Sequence, residues 1–192
     1  MALKMKGRCE TVNEIHVEDL SNKLWKVYLA ELGPALKTET AIPQQCFRSF
    51  KKFKKAMLDS DFKKFILFSE ENEIIGLAIS ISNLQKVKKI AGIEINLERY
   101  ESLFPEEYKQ GKIHYVPVTC ILKNYHDEGY MNTLGEAIVK EVNKNQGKAA
   151  FDFAEEKNGG LDEMVAYIAR ETGLRPNAKI TLMGRQTFVV IG

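Results

Sequence analysis

Apolar and polar positions recur along this chain with two periods, and the switches between them mark out its elements. From Glu18 to Leu32, the residues Leu20, Leu24, Val27, Tyr28 and Leu32 recur three or four positions apart. That is the stripe of an amphipathic helix. Glu18 and Asp19 sit at the positive end of its dipole, and Gly33-Pro34 reads as its stop. Pro43 to Leu58 predicts a second helix with proline in its first turn. At about 100° per residue, Cys46, Phe50, Phe53 and Met57 share one face, while Arg48, Lys51, Lys52 and Lys55 lie opposite.

Strand periods dominate elsewhere. Cys9 to Ile15 predicts a short first strand. Phe65 to Ser69 and Ile74 to Ser82, rich in Ile, Leu and Phe, predict a hairpin around Glu70-Glu71-Asn72-Glu73. Asn83 to Gly111 keeps no sustained period beyond the alternation of Ile93, Ile95 and Leu97. It is too long for a turn and reads as an insert. Ile113 to Leu122 predicts a strand, and Pro117 inside it removes a donor and implies a bulge or a broken pairing.

Gly129 to Val142 predicts a helix, with Leu134, Ile138 and Val142 along one side. Ala149 to Ala154 predicts a strand. Leu161 to Thr172 predicts a helix that ends at Gly173, with Leu161, Met164, Val165 and Ile168 turned inward. Lys179 to Met183 and Gln186 to Ile191 predict strands around a Gly184-Arg185 turn. The order is β, α, α, β, β, insert, β, α, β, α, β, β. It predicts a single α/β domain over residues 1–192, with the insert at 83–111. The sheet is mixed and mostly antiparallel, of about six to seven strands, with helices on both faces.

Composition narrows the class without naming a chemistry. Of 192 residues, 44% are apolar and 28% charged, which suits a globular chain and not a disordered one. A net charge of +2 leaves little excess to neutralise phosphates, so nucleic acid is an unexpected partner. Cys9, Cys46 and Cys120 have neither metal-ligand spacing nor a disulfide framework, so no metal is expected and a reducing cytoplasm is the natural setting. Met1 to Ile15 is too polar for a signal peptide, and no apolar run approaches the ~20 residues of a membrane helix. The expected assembly is a monomer or a homodimer.

The element order resembles that of the GNAT acyltransferases, the Gcn5-related N-acetyltransferase superfamily. The resemblance covers nearly the whole chain by order and residues 113–173 by sequence. In that family a bulged strand leads into a loop of pattern Gln/Arg-x-x-Gly-x-Gly/Ala, which opens a helix and binds the diphosphate of acetyl-coenzyme A. Here the segment reads Asn124-Tyr125-His126-Asp127-Glu128-Gly129-Tyr130-Met131-Asn132-Thr133-Leu134. Gly129 matches the first glycine and Leu134 the apolar anchor. His126 stands where Gln or Arg is usual, Met131 where Gly or Ala is usual, and Asp127 and Glu128 where residues are often small or basic. The motif is degenerate. Two carboxylates add like-charge repulsion to a diphosphate site, and a side chain at Met131 stands where close backbone approach is needed.

The resemblance implies an N-acyltransferase, most simply an N-acetyltransferase, that takes acetyl-coenzyme A or another acyl-coenzyme A as co-substrate and an amine as acceptor. It implies a coenzyme site at His126, Asp127, Glu128, Gly129, Tyr130, Met131, Asn132 and Thr133, with the backbone donor to the thioester near Ile121 and Leu122. The family's frequent general acid, a Tyr four residues before the glycine that ends the last helix, maps to Ala169. Tyr167 is two positions away, about 200° around the axis, a poor substitute whose plainer reading is a packing or rim residue. His114 is the only conventional base in 113–122; its plainer reading is a hydrogen-bonded strand histidine. His126, as an imidazolium, would pair with a phosphate or else stand in solvent. Cys120 shares strand parity with His114, Val116 and Val118 and reads as a small buried hydrophobe.

Residues 47–64 carry seven basic and two acidic side chains, either a solvated face or a site for an anionic acceptor or partner. The insert offers Glu94, Glu98 and Tyr100, as a lid or acceptor wall, or as a surface decoration or dimer arm. Two further functions stand beside acyl transfer. One is a catalytically inactive GNAT-like binding or regulatory module, suggested by His126, Asp127, Glu128, Met131 and Ala169. The other is a nucleic-acid-associated protein using the basic helix at 43–58.

Overall fold

The computed structural model describes residues 4–37, 47–87, 95–153, 161–172, 180–182 and 187–191. The chain opens with β1 (Arg8–Val12), α1 (Glu18–Lys37) and α2 (Phe50–Leu58), followed by the hairpin β2 (Phe62–Phe68) and β3 (Ile74–Ile81). The insert holds a single helical turn, α3 (Leu84–Lys86), and two short helices, α4 (Leu97–Leu103) and α5 (Pro105–Lys109). Then come β4 (Ile113–Ile121), α6 (Tyr130–Lys144), β5 (Lys148–Phe153), α7 (Leu161–Glu171), β6 (Ile180–Leu182) and β7 (Thr187–Ile191). The strands form one sheet of seven in the order β1-β2-β3-β4-β5-β7-β6. Neighbours are antiparallel except β4 and β5, which run parallel. A parallel pair needs a crossover, and α6 supplies it.

Strand alternation divides the core between two faces. Phe62 and Ile66 of β2 join Leu77 and Ile79 of β3 under Leu24, Val27 and Tyr28 of α1 and Phe53, Ala56 and Met57 of α2. Phe65 and Leu67 join Ala78, Val116 and Phe151 on the other face, under Leu134, Ile138 and Val142 of α6 and Ala166 and Ala169 of α7. On the first face an aromatic cluster ties α1 to α2. Trp25 stacks on Tyr28 at 5.1 Å, and Phe53 meets Phe47 edge-on at 5.5 Å.

Several expected boundaries move. α1 runs through Gly33 and Pro34 to Lys37, although Pro34 removes the bond to the Ala30 carbonyl and crowds that carbonyl with its ring. α2 starts at Phe50, where the Ser49 side chain accepts from the Lys52 N–H; no proline opens it. Leu97 opens α4, capped by Asn96, and so does not extend a strand alternation. Cys46, Ile93, Glu94, Gly173 and the Gly184-Arg185 turn lie outside the described residues.

The expected bulge at Pro117 is present. β3 pairs Ile79 with Val118 but Ile81 with Tyr115, so β4 carries one extra residue at Val116-Pro117. The extra residue reverses strand parity. Val116 faces α6, whereas Val118 and Cys120 face α1. Cys120 therefore does not share a face with Val116, as unbroken alternation requires, nor with His114. It is buried and its thiol donates to the Leu77 carbonyl.

Candidate functional site

The bulge is also where the sheet comes apart. β4 and β5 pair only from Ile113 with Lys148 to Val116 with Phe151. Both strands continue, to Ile121 and Phe153, without pairing to each other. A gap thus opens in the middle of the sheet, one wall of it the C-terminal half of β4. The Leu122 N–H is bonded to the Ile75 carbonyl of β3 at 2.8 Å. Backbone groups alternate direction along a strand, so Thr119 and Ile121 direct theirs into the gap. Of the two expected donors, Ile121 faces the gap. Leu122 does not, because its N–H belongs to the β3 ladder.

The loop leaving this wall is built for backbone access. A 3₁₀ turn at Lys123–Tyr125 leads to Asp127 at φ 60° and Gly129 at φ 98°. Two left-handed residues turn the chain sharply into α6, and glycine takes that conformation without strain. The first bond closing onto the helix is Thr133 N–H to the Gly129 carbonyl. The N–H groups of Tyr130, Met131 and Asn132 consequently have no intrahelical acceptor and carry the positive end of the dipole. Met131 lies half-buried against the α6 core. Asp127 is exposed.

Glu128 does not stand alone. Its carboxylate accepts from Lys6 Nζ at 2.7 Å, and that partner holds Glu128 below the usual carboxylate range and Lys6 above the usual lysine range. Lys6 also reaches Glu70 at 3.7 Å and lies over the Tyr130 ring at 5.5 Å. The N-terminal segment is stitched to the first turn of α6. Asn132 Nδ2 donates to the Lys4 carbonyl at 2.7 Å, the Lys6 N–H donates to Thr133 Oγ1 at 3.1 Å, and Thr133 Oγ1 donates to the Lys6 carbonyl at 2.7 Å. Two residues expected at a ligand, Asn132 and Thr133, thus spend their side chains on the chain's own beginning.

His126 turns back to β4. Its Nε2 lies 2.8 Å from the Ile121 carbonyl; only a nitrogen bearing hydrogen can make that contact, so Nε2 is protonated. Glu31 of α1 meets the same place, accepting from the Lys123 N–H at 2.9 Å and approaching His126 Nε2 at 4.0 Å. Lys6 and Glu31 were invisible to motif reasoning, being 122 and 92 positions from their partners in the loop. Tyr125 adds its hydroxyl to Glu73 at 3.2 Å and is pushed above its ordinary pKa, by burial first and then by that bond.

No family model and no curated protein sequence matches the chain. Solved structures do. Tetrahymena GCN5 superposes with a TM-score of 0.52 over 95% of this chain and 93% of that one, at 9% identity. AAC(6')-Ib, in a structure with acetyl-CoA, superposes with a TM-score of 0.50 over 95% and 92%, at 14% identity. The fold is that of the GNAT acyltransferases.

On that GNAT frame the other expected residues fall in different places. His114 is seven positions before Ile121, about 23 Å along β4, and is therefore remote from the loop. It is buried beneath the α6–β5 connection, with Nε2 3.5 Å from Asn145 Nδ2 and Nδ1 without a hydrogen bond. Burial holds its pKa down, with Glu141 opposing and Lys63 assisting. Tyr167 points outward from α7, whereas Ala169 is fully buried against α6. Burial pushes the Cys9 thiol up to about 12, away from the thiolate form.

Lys51, Lys52 and Lys55 are exposed on α2, as a basic face requires, while Lys54 pairs with Glu18 at 2.7 Å. In the insert Tyr100 is buried and Glu98 exposed. A groove of about 520 Å³ separates α3 and α5 from the start of β4, spanned by a bond from Gln85 Nε2 to the Tyr108 hydroxyl at 2.8 Å. Among the described residues no cluster of three or more His, Cys, Asp or Glu could hold a metal ion, and no helix is long and apolar enough to cross a membrane.

Proposed function

We propose that this protein is an N-acyltransferase that moves an acyl group, most simply acetyl, from coenzyme A to an amine. One observation carries the reading: the sheet opens at the Pro117 bulge, and the strand that lines the opening runs directly into a left-handed turn and the N-terminus of α6. The residues present suit a diphosphate. Three successive N–H groups at Tyr130, Met131 and Asn132 lack intrahelical acceptors, and the turn before them needs glycine because a Cβ on Gly129 would lie 2.7 Å from the Lys4 carbonyl oxygen. Bound acyl-coenzyme A would supply the activated thioester. The amine nitrogen forms the new C–N bond as the C–S bond breaks; the amine loses a proton and the thiolate gains one. The Thr119 and Ile121 N–H groups, both facing the gap, are the donors this chain offers to a carbonyl oxygen. Isothermal titration with acetyl-coenzyme A tests the proposal. Micromolar binding is expected, and no heat at millimolar ligand sinks it.

A second reading is favoured by Ala169. That position lies fully buried between α6 and α7 and has no group that could protonate a thiolate. His114 is distant from the gap, and the imidazole beside the gap wall, His126, is engaged through Nε2 with the Ile121 carbonyl. A coenzyme-binding module without transferase activity would look the same. Release of free thiol from acetyl-coenzyme A in the presence of an amine panel separates the two.

A further inference from the structure

The loop carries a carboxylate, Glu128, where a diphosphate would have to sit, and the chain's first residues are laid against it. Three hydrogen bonds fasten Lys4–Lys6 to Asn132 and Thr133, at 2.7, 3.1 and 2.7 Å. A fourth, charge-assisted, joins Lys6 Nζ to Glu128 at 2.7 Å. The close approach of the Lys4 carbonyl to Gly129 shows that the segment packs on the turn itself. Lys6 is therefore placed by backbone bonds and not by its own side chain alone.

We propose that the N-terminal segment is a working part of the anion site, with Lys6 as the positioning residue that ties down the Glu128 carboxylate and cancels its charge, so that the loop can accept a diphosphate. This rests on the acyltransferase reading. It explains how Glu128 stays compatible with an anionic ligand: the compensating cation is delivered by the segment that precedes β1, 122 positions away in the chain. Lys6 is fastened above Tyr130 at 5.5 Å and within 3.7 Å of Glu70, so a second carboxylate holds it when an anion competes for it.

The sign of the charge left at the loop predicts the outcome. Lys6→Met leaves Glu128 uncompensated, Glu128→Gln leaves Lys6 in excess, and the double variant restores neutrality. For a diphosphate roughly 8 Å away, with an effective dielectric near 20 and physiological screening, one unit of charge corresponds to about a tenfold change in affinity.

The test is titration of coenzyme A into the full-length protein at 0.05 and 0.15 M salt, an order-of-magnitude choice around the physiological screening length. Lys6→Met should weaken binding about tenfold and Glu128→Gln should strengthen it. Lys6→Met with Glu128→Gln should return to near the wild-type value, and Lys6→Arg should match wild type. The ligand-free readout is the titration of the Glu128 carboxyl by NMR, which should rise toward the ordinary glutamate range in Lys6→Met. Equal coenzyme affinities in all variants, or failure of the double variant to recover, overturns the role of Lys6 and leaves the acyltransferase reading standing. Absence of binding by the wild-type protein overturns both. A Glu128 titration unchanged by Lys6→Met overturns the contact itself, whatever the ligand does.

Discussion

Gly129→Ala is the sharpest structural test of the loop. Gly129 has φ 98°, a left-handed conformation that costs an L-residue roughly 1–2 kcal/mol. A Cβ there would also stand 2.7 Å from the Lys4 carbonyl oxygen and 3.2 Å from its carbonyl carbon. Both are backbone atoms and cannot rotate aside, so the N-terminal segment must shift. The bond from Asn132 to that carbonyl is then lost, at a cost of about 1 kcal/mol. The total is about 2–3 kcal/mol. For a chain of this length that lowers the melting temperature by roughly 4–12 °C.

Urea denaturation followed by circular dichroism measures it, with Lys4→Gly as a control that should not rescue, because the clash is with backbone. Deleting residues 1–5 should rescue partly, leaving only the left-handed cost of about 1–2 kcal/mol. If Gly129→Ala melts with wild type, the turn is not left-handed and the case for an exposed helix N-terminus fails. If its full cost persists after the deletion, the N-terminal segment does not pack on the turn.

Other expectations follow from buried groups. His114 is buried and its pKa is lowered by burial. The unfolded chain therefore binds a proton at His114 before the native one does, and stability should fall as pH drops below about 6.5; His114→Phe should flatten urea midpoints between pH 7 and 5, and an unchanged slope would exclude His114 as the cause. Lys64 is fully buried and donates to the backbone carbonyls of Asn13 and Asp59, and burial lowers its pKa to about 8. Between that value and the ordinary lysine range the unfolded chain holds more protons, so stability should climb as pH rises across that window, whereas Lys64→Met should be level. Ala169→Tyr should cost about 1–3 kcal/mol by overpacking the α6–α7 contact and add no thiol-releasing activity; a stable variant with new activity would show that α7 sits differently.

Much of the sheet was legible because its central strands are short apolar runs bounded by turn residues and buried almost throughout, and Pro117 announced the bulge because a residue without an N–H cannot serve an interior ladder. What the bulge does to parity was not legible: one inserted residue leaves no mark on composition yet sends Cys120 to the face opposite Val116. Gly33-Pro34 misled for the converse reason. It is a strong local stop signal, and α1, anchored upstream of it by Leu24, Val27 and Tyr28, continues past it. At Gly129 packing and local preference agree.

Charge at the loop follows the same logic. Read along the chain, Asp127 and Glu128 argue against an anion, since two like charges in the loop repel it. In space, Glu128 belongs to a pair whose cation comes from Lys6, and His126 and the Lys123 N–H belong with Glu31 of α1. Each of these partners lies on a segment that the fold brings to the loop: the residues before β1, the turn after β4, the later part of α1. Charge at the loop is balanced by tertiary contacts and not by consecutive residues, so the loop should be sensitive to substitutions in the N-terminal segment that no reading of the loop alone would single out.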